Sequence, residues 1–491
     1  MTKHLDIDTK AMRAKILDLA IQGKLTDQRE EDGNARDLLK EIQAEKEKLI
    51  KEKKIKKEKP LPEIEADEIP FEIPKNWMWA RWGTLSISIK YGYNTSAQKD
   101  GKIKMVRISD IQNNQVNWDS VPFCNIPKEE ITQYLLRKND ILFARTGGTV
   151  GKSYLVSEVP ENVVYAGYLI RTRYSEKLSP QYLKYFMESD LYWSQLKKGT
   201  TTTAQPNCNA KTLGKMVLPL PPLAEQKRIA DKVATLFAQL DAIDKAYEEY
   251  RELQQTMKAK LLDLAVQGKL TDQRAEDGNA RDLLKEIQAE KEKLIKEKQI
   301  KKEKPLPEIT EEEKTFDIPE NWMWVRLGEM ILNHIGGGTP DKSNEAYWNG
   351  DIPWMSVKDV HQDSMYADRT IDSITPAGLE NSSSNLIEAN RLIVVMRMAV
   401  GRAVINKLPV AINQDLRALF FRDNVTQEYI LRIFKILKFE TSGMTVKGIK
   451  LWVLLNTPIP LPPLAEQKRI VAKLDELLPL CNVPGVYSKE K

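Results

Sequence analysis

Apolar residues in the stretch Leu223–Gln267 fall at Ile229, Val233, Leu236, Leu240, Ile243, Tyr247, Tyr250, Met257, Leu261 and Leu264. The steps alternate between four and three, with one skip at Gln254. That is the a/d spacing of a coiled-coil seam, sustained over about five heptads. PPLAEQ opens the stretch, where proline is tolerated, and Gly268 closes it. The pattern predicts one helix of about 40 residues, rising about 60 Å at about 1.5 Å per residue. The same seam recurs in two pieces at the chain ends: Ile470, Leu474 and Leu477, then Met12, Ile16 and Leu19. Two seams of equal length are expected to pack antiparallel.

A narrower stripe follows each seam. Leu38, Ile42 and Leu49 lie on a helix expected over Ala35–Glu58, and Leu283, Ile287 and Leu294 on one over Ala280–Glu303. So narrow a stripe needs little burial, so the helix reads as an arm displayed to a partner or to DNA, and these six residues are candidates for subunit docking. KPLPEI beyond each arm must be extended, because proline restrains its predecessor.

The remaining sequence changes period. Short β-rich runs at Lys104–Ile108, Asp140–Ala144 and Val163–Arg173, and at Leu392–Met398, Ala403–Ile405 and Leu416–Phe421, are separated by glycine and threonine loops. Each block closes with a helical stretch, Pro180–Leu196 and Gln427–Phe439. The fold class is therefore α+β: two globular domains separated by two long helical regions.

The chain repeats itself. Met12–Ile64 and Met257–Ile309 match at 48 of 53 positions without a gap. LPLPPLAEQKRI at Leu218–Ile229 returns as IPLPPLAEQKRI at Ile459–Ile470, and IPKNWMWAR at Ile73–Arg81 returns as IPENWMWVR at Ile318–Arg326. The blocks between diverge. The boundaries are 1–72 for the first part of a split shared region, 73–218 for one variable domain and 219–317 for the central shared region. Then 318–459 is the second variable domain and 460–491 the remainder of the split region. One shared copy is whole and the other is divided between the termini, the pattern of a circular permutation. It predicts pseudo-two-fold symmetry with adjacent chain ends.

Composition narrows the chemistry. The 491 residues are 30% charged, with a net charge of only +5. Lys46–Lys59 and Lys291–Lys304 carry local charges of +5 and +4. Such runs suit either a nucleic-acid footprint or a solvated helix face. Three scattered cysteines and three histidines give no disulfide framework, zinc ribbon or HExxH pair. No apolar run approaches the about 20 residues a bilayer needs, and a secretory leader is missing, so a cytoplasmic location is expected. TGGTVGKS at Thr146–Ser153 nearly matches a phosphate loop, but YLVSEVP after it reads as a strand rather than the required helix. Methyltransferase tetrapeptides and a glycine-rich SAM fingerprint are absent from the sequence.

Taken together, PLPPLAEQKRI, the LDLAIQGKLT and LDLAVQGKLT segments at Leu17–Thr26 and Leu262–Thr271, and the alternation of variable and shared blocks resemble the specificity subunit of Type I restriction–modification enzymes over essentially the whole chain. The resemblance implies that each variable block is a target recognition domain reading one half of a split, asymmetric site on double-stranded DNA. It implies that the shared regions form an antiparallel helical spacer docking two modification subunits, and that restriction subunits join a larger complex. It also implies no cofactor and no catalysis in this chain: SAM belongs to the modification partner, and ATP and Mg to the restriction partner. DILFARTGGTVGK (Asp140–Lys152) and RLIVVMRMAVGR (Arg391–Arg402) look like the family's strand–loop segment, and VRISDI and WMSVKDV like its earlier strand.

From these segments and the glycine-flanked loops, the DNA-binding candidates are Tyr91, Arg107, Arg145, Thr146, Lys152, Thr201 and Gln205 in the first domain. In the second they are Thr339, Lys358, Arg397, Arg402, Gln414 and Lys447. Arginine and glutamine can meet guanine or adenine edges with two hydrogen bonds, and lysines suit phosphates. Two other readings compete. A fused methyltransferase would need the missing SAM motifs. A purely structural adaptor would have no need for two divergent domains.

Overall fold

The computed structural model describes residues 7–160, 162–199, 207–362, 364–437, 439 and 447–481. The chain divides into two compact units, the first ending at Tyr247 and the second beginning at Glu248. Each holds one variable domain with the helical segments that frame it. Among the described residues, no helix is long and apolar enough to cross a membrane.

In the first unit, helix Thr9–Ile21 ends on Gly23 at φ +71°. Lys24 N donates to Leu19 O and Gly23 N to Ala20 O, a Schellman termination that glycine accepts at no steric cost. A Cβ at Gly23 would also strike Pro74 Cγ at 2.5 Å. The second unit repeats this at Gly268 (φ +68°), where a Cβ would lie 2.4 Å from Pro319 Cγ. The arm helices follow at Ala35–Lys51 and Ala280–Lys296, each capped by an asparagine side chain, Asn34 or Asn279. Both are shorter than expected. Lys53 (φ 54°) and Lys298 (φ 59°) turn the chain in the left-handed region, so the lysine-rich runs continue beyond the helices.

The borders of each variable domain run side by side. Met78–Arg81 pairs antiparallel with Val217–Leu220, setting Trp79 opposite Pro219. Met323–Arg326 pairs with Pro458–Leu461, setting Trp324 opposite Pro460. Buried Arg81 fastens this neck to the KPLPEI segment. It donates to the carbonyls of Pro62, Glu63 and Lys215 and to the Glu68 carboxylate. Arg326 does the same with Pro307, Glu308, Asn456 and Glu313, and it holds the Glu313 carboxyl down at about 2.

Within the first domain, Ser86–Tyr91, Leu169–Tyr174, Ile141–Ala144 and Ser153–Leu155 form an antiparallel four-stranded sheet in that order. A second sheet joins Phe123–Cys124, Ile103–Val106 and Val163–Tyr165. The run Val163–Arg173 is thus two strands in different sheets. They are parted by a turn in which Leu169 N donates to Ala166 O. Pro180–Leu196 is likewise two helices, Pro180–Phe186 and Asp190–Gly199, because Ser189 Oγ donates to Phe186 O and accepts from Tyr192 N between them. The second domain has a five-stranded sheet built on Leu392–Val395 and Leu416–Phe420, and a four-stranded sheet built on Trp348–Met355 and Val410–Ile412.

The seam helix is Leu223–Val266, 44 residues long. Ile229, Val233 and Leu240 are buried as expected, but Tyr250 and Met257 are 45% and 48% exposed. Gln254, at the apparent skip, is only 7% exposed. Steps of seven from Leu240 pass through Tyr247 and Gln254 to Leu261. The buried track therefore runs through a glutamine, and the other track turns outward.

Candidate nucleic-acid interface

In the first domain, three of the expected residues come together. Tyr91 ends a strand, and the Arg145 guanidinium carbon lies 4.7 Å from its ring centroid. The Tyr91 hydroxyl accepts from Ala210 N at 3.0 Å. Thr146, next to Arg145, bridges to Asn207. After them the chain makes a short 3-10 turn at Gly147–Thr149 and then the strand Ser153–Leu155, so TGGTVGKS precedes a strand and not a phosphate-binding helix. Exposed Lys152 lines a cleft of about 550 Å³ with Thr149, Trp193, Asn113 and Asn114. The two asparagines, both at positive φ, make the tight hairpin between Ile111–Gln112 and Gln115–Val116. Arg107 is committed differently. Its Nε and Nη2 both donate to Asp110, at 3.1 and 2.7 Å. Thr201 and Gln205 lie outside the described residues.

In the second domain a cleft of about 480 Å³ gathers Thr339, Lys358 and Gln414 with Trp348, Trp354 and Met398. The Thr339 hydroxyl donates to Gln414 Oε1. Lys358 Nζ is 3.6 Å from Asp372, and Arg397 Nη1 is 3.3 Å from Asp415. Arg402 reaches the Val360 carbonyl at 3.5 Å, and Lys447 accepts from Met398 N through its backbone carbonyl. Met398 sits on the cleft's rim, 60% exposed and at φ 71°. Nothing in the sequence singles it out.

The arm stripe is more buried than its narrowness suggested. Ile42 and Ile287 are fully buried, Leu283 is buried, and Leu38 packs against the core of its own unit. Leu49 and Leu294 are half-buried. The apolar face of each arm helix is thus occupied within its unit, because the neck and the variable domain cover it. The first lysine of each basic run is also engaged: Lys46 Nζ donates to Gly83 O and Lys291 Nζ to Ile331 O, both at 3.0 Å.

A group that sequence reasoning missed lies where the two shared signatures meet. Glu225 of the first AEQKR is fully buried. Its Oε1 accepts from Gln28 Nε2 at 2.7 Å and Thr26 Oγ1 at 3.2 Å, and its Oε2 from Trp77 Nε1 at 2.7 Å. Glu466 of the second AEQKR accepts from Gln273 at 2.6 Å, Thr271 at 3.1 Å and Trp322 at 2.7 Å. Beside each, an arginine grips an aspartate with two bonds of 2.5 and 2.6 Å, Arg228 on Asp32 and Arg469 on Asp277. Burial raises both glutamates above the ordinary carboxylate range, although the three donors pull the other way. The neighbouring arginine lowers each aspartate. Gln226 adds a tie to the variable domain by accepting from Ser179 N at 2.9 Å.

Comparison with known proteins gives one consistent picture. The family model for the Type I restriction modification DNA specificity domain matches residues 89–250 and again 319–482. The chain is 27% identical to the Type I restriction enzyme EcoEI specificity subunit of Escherichia coli over a 544-residue alignment, covering 96% of this chain and 89% of that one. It is equally 27% identical to the Escherichia coli EcoAI specificity subunit, with the same two coverages. A solved chain from work on complex assembly and conformational transition of the type I R-M system superposes with a TM-score of 0.54 at 24% identity. It covers 84% of this chain and 92% of that chain, a likeness of fold.

Proposed function

Because the chain belongs to the Type I restriction modification DNA specificity family, we propose that its two variable domains each read one half of a split double-stranded DNA site. It is the DNA-recognition component of such a system and not a catalytic one. The helical regions set the distance between the half-sites and dock two modification subunits, which bring SAM. Restriction subunits, with ATP and Mg, complete the larger assembly.

The observation that carries this reading is duplication with divergence. Two copies of one joint, alike to within about 0.1 Å in every hydrogen bond to the buried glutamate, hold two domains whose loops share little sequence. Identical frames imply a partner bound twice in the same way, and unlike loops imply two different targets. In the first domain, a guanidinium stacked on a tyrosine can present its fork to a base edge. In the second, a cleft lined by Lys358 and Gln414, with Arg397 paired to its Asp415, can take a backbone and read an edge within it.

Native mass measurement tests the assembly: one of these chains should saturate with two modification subunits. A saturated one-to-one complex would contradict it. Competition binding tests the target. The assembled complex should hold one duplex sequence against excess unrelated DNA, whereas a structural adaptor would show no preference.

A further inference from the structure

We propose that Glu225 and Glu466 are positioning residues that fix the setting of each recognition domain on the helical segments of its own unit, and hence the half-site spacing the assembly accepts. The inference rests on the proposed function and deepens it.

The case begins with what one carboxylate connects. Glu225 lies in the first turn of the seam helix, its donors Thr26 and Gln28 in the turn after the first helix, and Trp77 just before the neck strand. Its side chain therefore joins helix, turn and domain border at a single point. The same three parts meet at Glu466 through Thr271, Gln273 and Trp322. A second argument is energetic. Burying a carboxylate among neutral donors is costly, and an apolar residue of similar size would often be more stable there. What the charged group supplies is direction: three donors must converge on two oxygens, and any change of angle breaks a charge-assisted bond. Arg228 and Arg469, paired with Asp32 and Asp277, also donate to the carbonyls of Asp27 and Asp272 and so hold the same segment.

The test uses the full chain assembled with its modification subunits. Methylated-adenine mapping of the wild type supplies the half-sites. Duplexes then carry those half-sites at the native spacing and at one base pair longer or shorter. Wild type should favour the native spacing. E225A should lower that preference about tenfold, equivalent to about 1.4 kcal/mol, with half-site base preference unchanged. E225Q keeps an oxygen for Thr26 and Gln28 but turns an amide N–H toward Trp77, and W77F removes the opposing N–H. Each alone should lower the spacing preference, and the double variant should fall no further than either, the signature of one shared contact. These milder variants carry the test if E225A fails to assemble.

The proposal is overturned if folded E225Q and W77F complexes keep the native spacing preference. It is equally overturned if spacing and base preference decline together, as a general loss of structure would produce. A wild-type complex with no half-site preference would instead overturn the function itself.

Discussion

Arg145 is held before any DNA arrives. Its guanidinium lies over Tyr91, and its Nε is buried without a hydrogen-bond partner among the described residues. A planar fork fixed by a ring loses little freedom on meeting a base. R145A should therefore relax base choice in one half-site by about 1–3 kcal/mol and leave the other untouched, as read from the methylation pattern. Tyr91 and Arg145 were singled out in the sequence because loop chemistry beside glycine suggests close approach, but their contact with each other was not foreseen. Arg107 has the same chemistry but is held by Asp110 three residues on, an engagement composition does not reveal. Glu225 and Glu466 were illegible: in AEQKR they look like ordinary helix charges, and their burial depends on a turn almost 200 residues away. Burial raises Glu225 above its ordinary 4.5. A group raised on folding contributes stability that is full below its unfolded value and lost as pH rises through its folded value. Between about pH 4.5 and neutrality, thermal stability of wild type measured against E225Q should thus shift against wild type. A pH-independent difference would contradict this.

At the scale of elements, helix starts were easier to read than helix ends. PPLAEQ announces the seam helix and Gly268 closes it, and the structure adds asparagine caps on both arm helices and Gly23 at the end of the first helix. The arm helices end without glycine, on lysines forced into the left-handed region, so pattern alone ran them on through the lysine runs. Glycine removes that steric cost while adding chain entropy to the unfolded state. K53G and K298G should each stabilise the protein by up to about 1 kcal/mol, as measured by denaturant unfolding. A loss of stability would mean that the lysine side chains make contacts outweighing the strain. The heptad seam was read correctly as a helix, but of its two expected tracks one turns outward at Tyr250 and Met257. Gln254 looked like an interruption because it is polar, yet it holds a core position. A polar residue in such a track commonly fixes register at a cost in stability. The strands were found where apolar runs were continuous, and misjoined at Ala166–Tyr168, where the break is a turn that runs of this kind do not signal.

For the whole molecule, duplication was the most legible feature, and the QGKLT and AEQKR signatures prove to be two halves of one joint in each unit. The sequence does not disclose which bases the clefts read, because no residue code converts loops into bases. The spacing should follow helix length. Four residues inserted near Gln254 add about 6 Å, and DNA rises about 3.4 Å per base pair. With a matching insertion in the split copy, the half-sites should move apart by one or two base pairs and remain unchanged in sequence. An unchanged spacing with normal activity would show that the domains swivel on their necks. The central claim, that two unlike domains read two separate half-sites, is tested most directly by mapping every methylated adenine in DNA from cells carrying the full system. The account predicts a single bipartite motif, with two different half-sites a fixed number of unread bases apart, and only one half altered in R145A. A contiguous or palindromic motif, or a change in both halves in R145A, would contradict it.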